Sequence, residues 1–234
     1  MGATWHSRSM FNLQTIEDNF KTLLLKHNIE PYWFDIVGSE QRTGTIGNQH
    51  DLNVDCAAKL IEEHSIDYVM GYSYGAIVAA DVVLAGAKVK GLILLDPYSG
   101  PQHETQTIDN GDKKVLTKIS ILQELARYKS KINKTVVRDY LKNLTPEAEL
   151  VTAHYPDIVA RERRQQFLSK EFLAELSTRL PMLVVFTSMA RPEVKEKFPK
   201  ETIKEYPDST HWILLEEGRF KLANDVKTFI EQTQ

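Results

Sequence analysis

Ser73 stands between two glycines in Gly71-Tyr72-Ser73-Tyr74-Gly75, after the apolar run Tyr68-Val69-Met70 and before the small-residue run Ala76-Ile77-Val78-Ala79-Ala80. A serine on a sharp turn from strand to helix is held in a strained backbone conformation with its hydroxyl pushed outward, and glycines on either side let the strand and helix approach. With eleven glycines and twelve serines in 234 residues, composition alone gives about 0.03 occurrences of this pattern. An ordinary tight turn is the alternative. A serine hydroxyl attacks only when a base takes its proton, and the base needs a partner that fixes its tautomer. Of the seven histidines, only His211 falls in a loop between the last expected strand and the last expected helix, which puts it at the sheet edge where Ser73 emerges. A loop histidine packed on Trp212 is the bland reading of the same residue. Asp96 ends the strand after the elbow helix and is the first choice for the acid. Glu193 is the only acid near the next strand end, Asp208 reads as a turn former, and Asp96 before Pro97 is also a common turn pairing.

These residues need a scaffold, and the pattern supplies one. Helical spacing runs through Phe11, Leu13, Ile16, Phe20, Leu23 and Leu24, and again from Asp51 to His64. Strands are expected at Tyr32–Val37, Asp67–Gly71, Val89–Asp96, Pro181–Thr187 and Thr202–Tyr206. Helices are expected at Ala76–Ala85, ended by Gly86, at Pro192–Phe198 and at Leu214–Gln232. The helix after the elbow is apolar all round except at Asp81, as in a helix buried against a sheet. From Tyr98 to about Leu180 no strand is evident, and helical stripes such as Leu116, Ile119, Leu122 and Leu125 dominate, the last of these helices at Ser169–Leu180. Alternating strands and helices with this interruption predict an α/β fold, a mostly parallel sheet with helices on both faces. The core would be 1–99 with 181–234. The segment 100–180 would be a helical lid over the carboxyl ends of the strands, where ligands bind in such sheets.

Hydrophobic residues are 42% and charged residues 26% of the chain, which suits a globular domain with a large core. A net charge of −3 argues against a nucleic-acid coat. The single cysteine, Cys56, forms no internal disulfide and reads as a packing residue. With no leader and no transmembrane-length apolar run, the expected location is the cytoplasm, with no membrane partner. The histidines and acids lack ligand spacing, so neither metal nor cofactor is expected.

The elbow, Leu94-Leu95-Asp96-Pro97-Tyr98, the helical insertion and His211-Trp212 before a final helix resemble the α/β-hydrolase fold. Within it they are most similar to the thioesterase domains that release products of nonribosomal peptide and polyketide synthases, because the acid follows the strand after the elbow. The resemblance implies a Ser73–His211–Asp96 triad, and an oxyanion hole of the Tyr74 amide with one from Ala3 or Thr4. It also implies a substrate pocket near Trp5, His6, Tyr72, Tyr98 and Trp212. The family's core strand ahead of the oxyanion loop is missing or very short before Gly2-Ala3-Thr4-Trp5. From Lys113 to Lys142 nine Lys or Arg face two acids, either a solvated helix face or a docking surface for an acidic carrier protein. The expected activity is a serine thioesterase acting on an acyl or peptidyl thioester. A small carboxylic-ester hydrolase and a non-catalytic hydrolase-fold binding protein are the alternatives.

Overall fold

The computed structural model describes residues 16–34, 49–97, 132, 167, 169–188, 190 and 192–234. In chain order the elements are α1 (Phe20–Lys26), α2 (Gln49–His64), β1 (Tyr68–Tyr72), α3 (Gly75–Leu84), β2 (Gly91–Leu95), α4 (Lys170–Arg179), β3 (Met182–Thr187), α5 (Pro192–Lys195), β4 (Ile203–Tyr206) and α6 (Gly218–Thr233). The four strands form one sheet in the order β1-β2-β3-β4, and every neighbouring pair is parallel.

The central strands are apolar at every position but Thr187, because both faces of the sheet are covered. β2 and β3 are buried along their whole length. On one face Leu92, Leu94, Met182, Val184 and Phe186 pack against Ala76, Ile77, Ala80 and Val83 of α3 and Phe172, Leu173 and Leu176 of α4. On the other, Ile93, Leu95, Leu183 and Val185 pack against Phe20, Leu23 and Leu24 of α1 and Leu222, Ala223, Val226 and Phe229 of α6. Each such side chain removed from water contributes about 1.5–3 kcal/mol. A helix cap adds about 1 kcal/mol. The caps at Asn19, which accepts the Thr22 amide at 2.9 Å, and Ser169, which accepts the Phe172 amide at 3.2 Å, therefore set boundaries while the two cores hold the fold.

Two expectations are revised. Residues 32–34 do not join the sheet: Tyr32 stacks on His64 with ring centroids 4.3 Å apart, and the Lys21 ammonium lies over Trp33. Tyr32 stays exposed and Trp33 and Phe34 are half-buried, and residues 35–37 lie outside the described residues. The closing helix starts at Gly218, four residues later than its periodicity indicates, because Leu214–Glu217 belong to a turn that packs Leu214 and Leu215 in the core. α4, the last helix of the expected insertion, contributes Phe172, Leu173 and Leu176 to the same apolar cluster as α3 and the sheet. The other helices expected between 100 and 166 lie outside the described residues, apart from Ile132, as do Phe11 and Leu13 of the first.

Candidate active site

The elbow follows from a steric demand. β1 runs straight into α3, and a Cβ on Gly71 would lie 2.2 Å from the carbonyl oxygen of Gly75, so only glycine fits where the two elements meet. Between them Ser73 has φ of +56°, and Asp96, one step beyond β2, has φ of +42°. A non-glycine residue in the left-handed region costs on the order of 1–3 kcal/mol and persists only where its surroundings dictate it. Here the sheet dictates it: the Ser73 amide donates to Leu95 O at 2.9 Å and the Asp96 amide to Val185 O at 2.7 Å, each extending the ladder one step past its strand.

His211 arrives on the loop after β4, which is tied down on three sides. Ser188 donates both its amide (3.0 Å) and its hydroxyl (2.7 Å) to Ser209 O. The buried Glu216 carboxylate accepts the Thr210 amide at 2.7 Å and the Thr210 hydroxyl at 2.6 Å. Gly218 lets α6 close on the loop, since a Cβ there would lie 2.2 Å from Ser209 Oγ.

The result is a continuous hydrogen-bonded chain. His211 Nε2 lies 3.1 Å from Ser73 Oγ. His211 Nδ1 is in short contact with Asp96 Oδ2, and Asp96 Oδ1 accepts the Thr187 amide at 3.1 Å. Because an ionised carboxylate only accepts, Nδ1 carries the proton and Nε2 is left to accept from the serine. The acid is nearly enclosed, with 6% of its side chain exposed, while His211 keeps 27% exposed. This arrangement can take a proton from Ser73 and stabilise the imidazolium that forms.

The two tyrosines beside Ser73 point to opposite faces of the sheet. Tyr72 stacks on the His211 ring, centroids 4.9 Å apart, and its hydroxyl donates to His211 O. Tyr72 and Trp212, expected to line a substrate pocket, are 2% and 1% exposed and belong to the α1–α6 core. Apolar area this large is worth more in the core than at a wet surface. Tyr74 turns the other way into the α2–α3 interface, where its hydroxyl lies 2.7 Å from His50 Nδ1 and His50 Nε2 lies 2.6 Å from Asp81 Oδ2. Burial, with lesser contributions from Asp81 and Asp51, pushes the Tyr74 phenol well above its ordinary pKa, against the influence of Asn53. Sequence reasoning singled out Asp81 as the one charge on an apolar helix and missed His50 as its partner.

Glu193 and Asp208 are exposed, His64 stacks on Tyr32, and His27 caps α1 through its backbone. Ala3, Thr4, Trp5, His6 and Tyr98 lie outside the described residues. Among the described residues no group of three or more His, Cys, Asp or Glu could hold a metal ion. An apolar cavity of about 170 Å³ opens between α1, α2 and the first half of β1, lined in part by Leu24, Ile61, Tyr68, Met70 and Ile230. Ser73, Asp96 and His211 do not line it.

No protein-family model and no curated protein sequence matches the chain. Solved structures do. A carboxylesterase of the thaumarchaeon Nitrososphaera gargenis aligns over 97% of this chain and 87% of its own, with TM-score 0.64 and 14% identity. An extracellular α/β-hydrolase from a Paenibacillus species aligns over 99% and 96%, with TM-score 0.57 and 10% identity. A putative epoxide hydrolase from Pseudomonas aeruginosa aligns over 86% and 80%, with TM-score 0.54 and 12% identity. Identities this low speak for the path of the chain alone. That path, with its parallel sheet covered on both faces and a serine elbow at the carboxyl edge, is the α/β-hydrolase fold.

Proposed function

We propose that this chain is a serine hydrolase that opens ester or thioester bonds through an acyl-enzyme on Ser73. The observation that carries the reading is the unbroken hydrogen-bonded chain from Ser73 Oγ through His211 to Asp96. Ser73 Oγ attacks the carbonyl carbon as its proton passes to His211 Nε2, and Asp96 holds the imidazolium through Nδ1–H. The oxyanion forms against the Tyr74 amide, aided by an amide of Ala3 or Thr4. The intermediate then collapses, and the alcohol or thiol departs with the proton from Nε2. Water, or a nucleophile within the acyl chain, repeats the sequence to free the product.

The finer reading is a thioesterase acting on a carrier-bound acyl or peptidyl group, of the kind that releases products of secondary-metabolite synthases. It is supported by the acid standing after the strand that follows the elbow, as in the thioesterase domains the sequence resembles. The basic stretch from Lys113 to Lys142 fits an acidic carrier. The segment 100–180 would be the lid that admits the acyl chain. The structural likeness to a carboxylesterase favours a second reading, a small-ester hydrolase without a carrier. A cytoplasmic site of action is supported by the single cysteine. Among the described residues no helix is long and apolar enough to cross a membrane.

The test is release from an acyl-pantetheine thioester and from a p-nitrophenyl ester by the chain and its Ser73→Ala variant. The expected loss on substitution is about 10⁴-fold or more in kcat. Preference for the thioester supports the carrier reading, and preference for the ester supports the second. Equal, negligible release with no fluorophosphonate labelling at Ser73 would leave a hydrolase-fold binding protein.

A further inference from the structure

The relay from Tyr74 through His50 to Asp81 lies outside the triad but is anchored in the elbow. Asp81 is the one charge on α3, a helix otherwise buried and apolar. Isolated in a low-dielectric interface such a carboxylate is costly, and it persists where it is paired and hydrogen-bonded. Its partner is His50 in the first turn of α2, with 7% of the histidine side chain and 13% of the aspartate side chain exposed. The carboxylate accepts from Nε2–H, so in the neutral ring Nδ1 is an acceptor and the Tyr74 O–H must be its donor. The aromatic rings meet edge to face, centroids 5.8 Å apart. Each hydrogen-bonding group of the relay therefore fixes the next, from α3 through α2 and back to the residue that follows Ser73.

That residue carries more than a side chain. Its amide is the oxyanion donor of the reading given above, on which this inference rests, and it belongs to the same peptide unit as the strained Ser73. Tyr72 holds the elbow from the His211 side. The backbone already ties this peptide, the Ser73 carbonyl accepting the Ala76 amide at 3.0 Å and the Tyr74 carbonyl the Ile77 amide at 2.9 Å, and the Tyr74 phenol adds the side-chain anchor on the face opposite Tyr72. We propose that His50, held by Asp81, is a positioning residue that locks the Tyr74 phenol and thereby aims the Tyr74 amide at the developing oxyanion.

The test compares Tyr74→Phe, His50→Leu and the double variant with the unsubstituted chain. The readouts are the fluorophosphonate labelling rate at Ser73, and kcat and KM per labelled site on a p-nitrophenyl ester. Loss of a whole oxyanion donor costs 10²–10³-fold. Loosening one should lower kcat and the labelling rate by roughly tenfold, with KM within about twofold. The double variant should be no worse than either single one, because both cut the same link. A merely structural relay would lower the melting temperature and the labelled fraction but leave the rate per labelled site intact. Rates within twofold of the unsubstituted chain would overturn the positioning role alone. Absence of any labelling in the unsubstituted chain would overturn the hydrolase reading and the positioning role with it. Where His50→Leu fails to fold, Tyr74→Phe decides by itself.

Discussion

At the scale of single residues, the site depends on what each side chain is forbidden to do. Asp96 can only accept, so the protons of the chain run one way, from serine toward Nε2 with Nδ1–H held in place. Asp96→Asn keeps the size and the acceptor for the Thr187 amide but presents an NH₂ to His211, which disfavours the tautomer in which Nε2 accepts. By the roles proposed above, kcat on a p-nitrophenyl ester should fall about 10⁴-fold with KM little changed. A fall of less than tenfold would remove Asp96 from the role. That Ser73, Asp96 and His211 would meet was legible in the sequence because Ser73 and Asp96 follow strongly patterned strands and His211 lies on the loop after the next-to-last patterned element, where topology puts all three at one edge. His50 was not legible. It meets Asp81 across 31 positions and two helices, and nothing local to residue 50 distinguishes a helix-start histidine that packs inward from one that faces water.

At the scale of elements, the junction of β1 and α3 tolerates no side chain at Gly71, because the atoms it would strike are backbone. Backbone cannot rotate away as a side chain can, so Gly71→Ala should destabilise by about 3 kcal/mol or more. Urea unfolding followed by far-UV circular dichroism measures this, and a loss below about 1 kcal/mol would mean that the turn relaxes. The strands β1 to β3 were legible as near-continuous apolar runs between breakers, and the helices as 3.6-residue stripes. The misread elements share a physical cause. Tyr32–Phe34 are as apolar as a strand, yet Tyr32 stacks on a helix end and stays exposed, outside the sheet. Leu214 and Leu215 continue a helical stripe, yet the Glu216 carboxylate draws the chain back to Thr210 and makes it a turn. In both cases the apolar pattern is blind to the side-chain contacts that accompany the backbone actually adopted.

At the scale of the whole molecule, two cores on opposite faces share one sheet, and each holds a buried tyrosine whose proton the fold protects. Burial first, then Asp225, raises the pKa of Tyr206 well above its ordinary value of 10.0, and burial does the same for Tyr74. The folded state therefore keeps protons that the unfolded chain gives up near pH 10, and unfolding releases them. Stability should be unaffected by these groups below that pH and fall as the pH rises beyond it. Urea midpoints at pH 8 and pH 11 check the slope, which Tyr206→Phe should flatten; an unchanged midpoint in the parent chain would contradict it. The order of the sheet has a consequence of another kind. Ser73 and His211 are 138 positions apart, and a ribosome adding roughly 5–20 residues per second needs on the order of ten seconds to travel between them. Throughout that interval the elbow serine has no base and is an ordinary alcohol. By the roles proposed here, the growing chain is chemically silent toward every ester around it until the last strand of the sheet has been made.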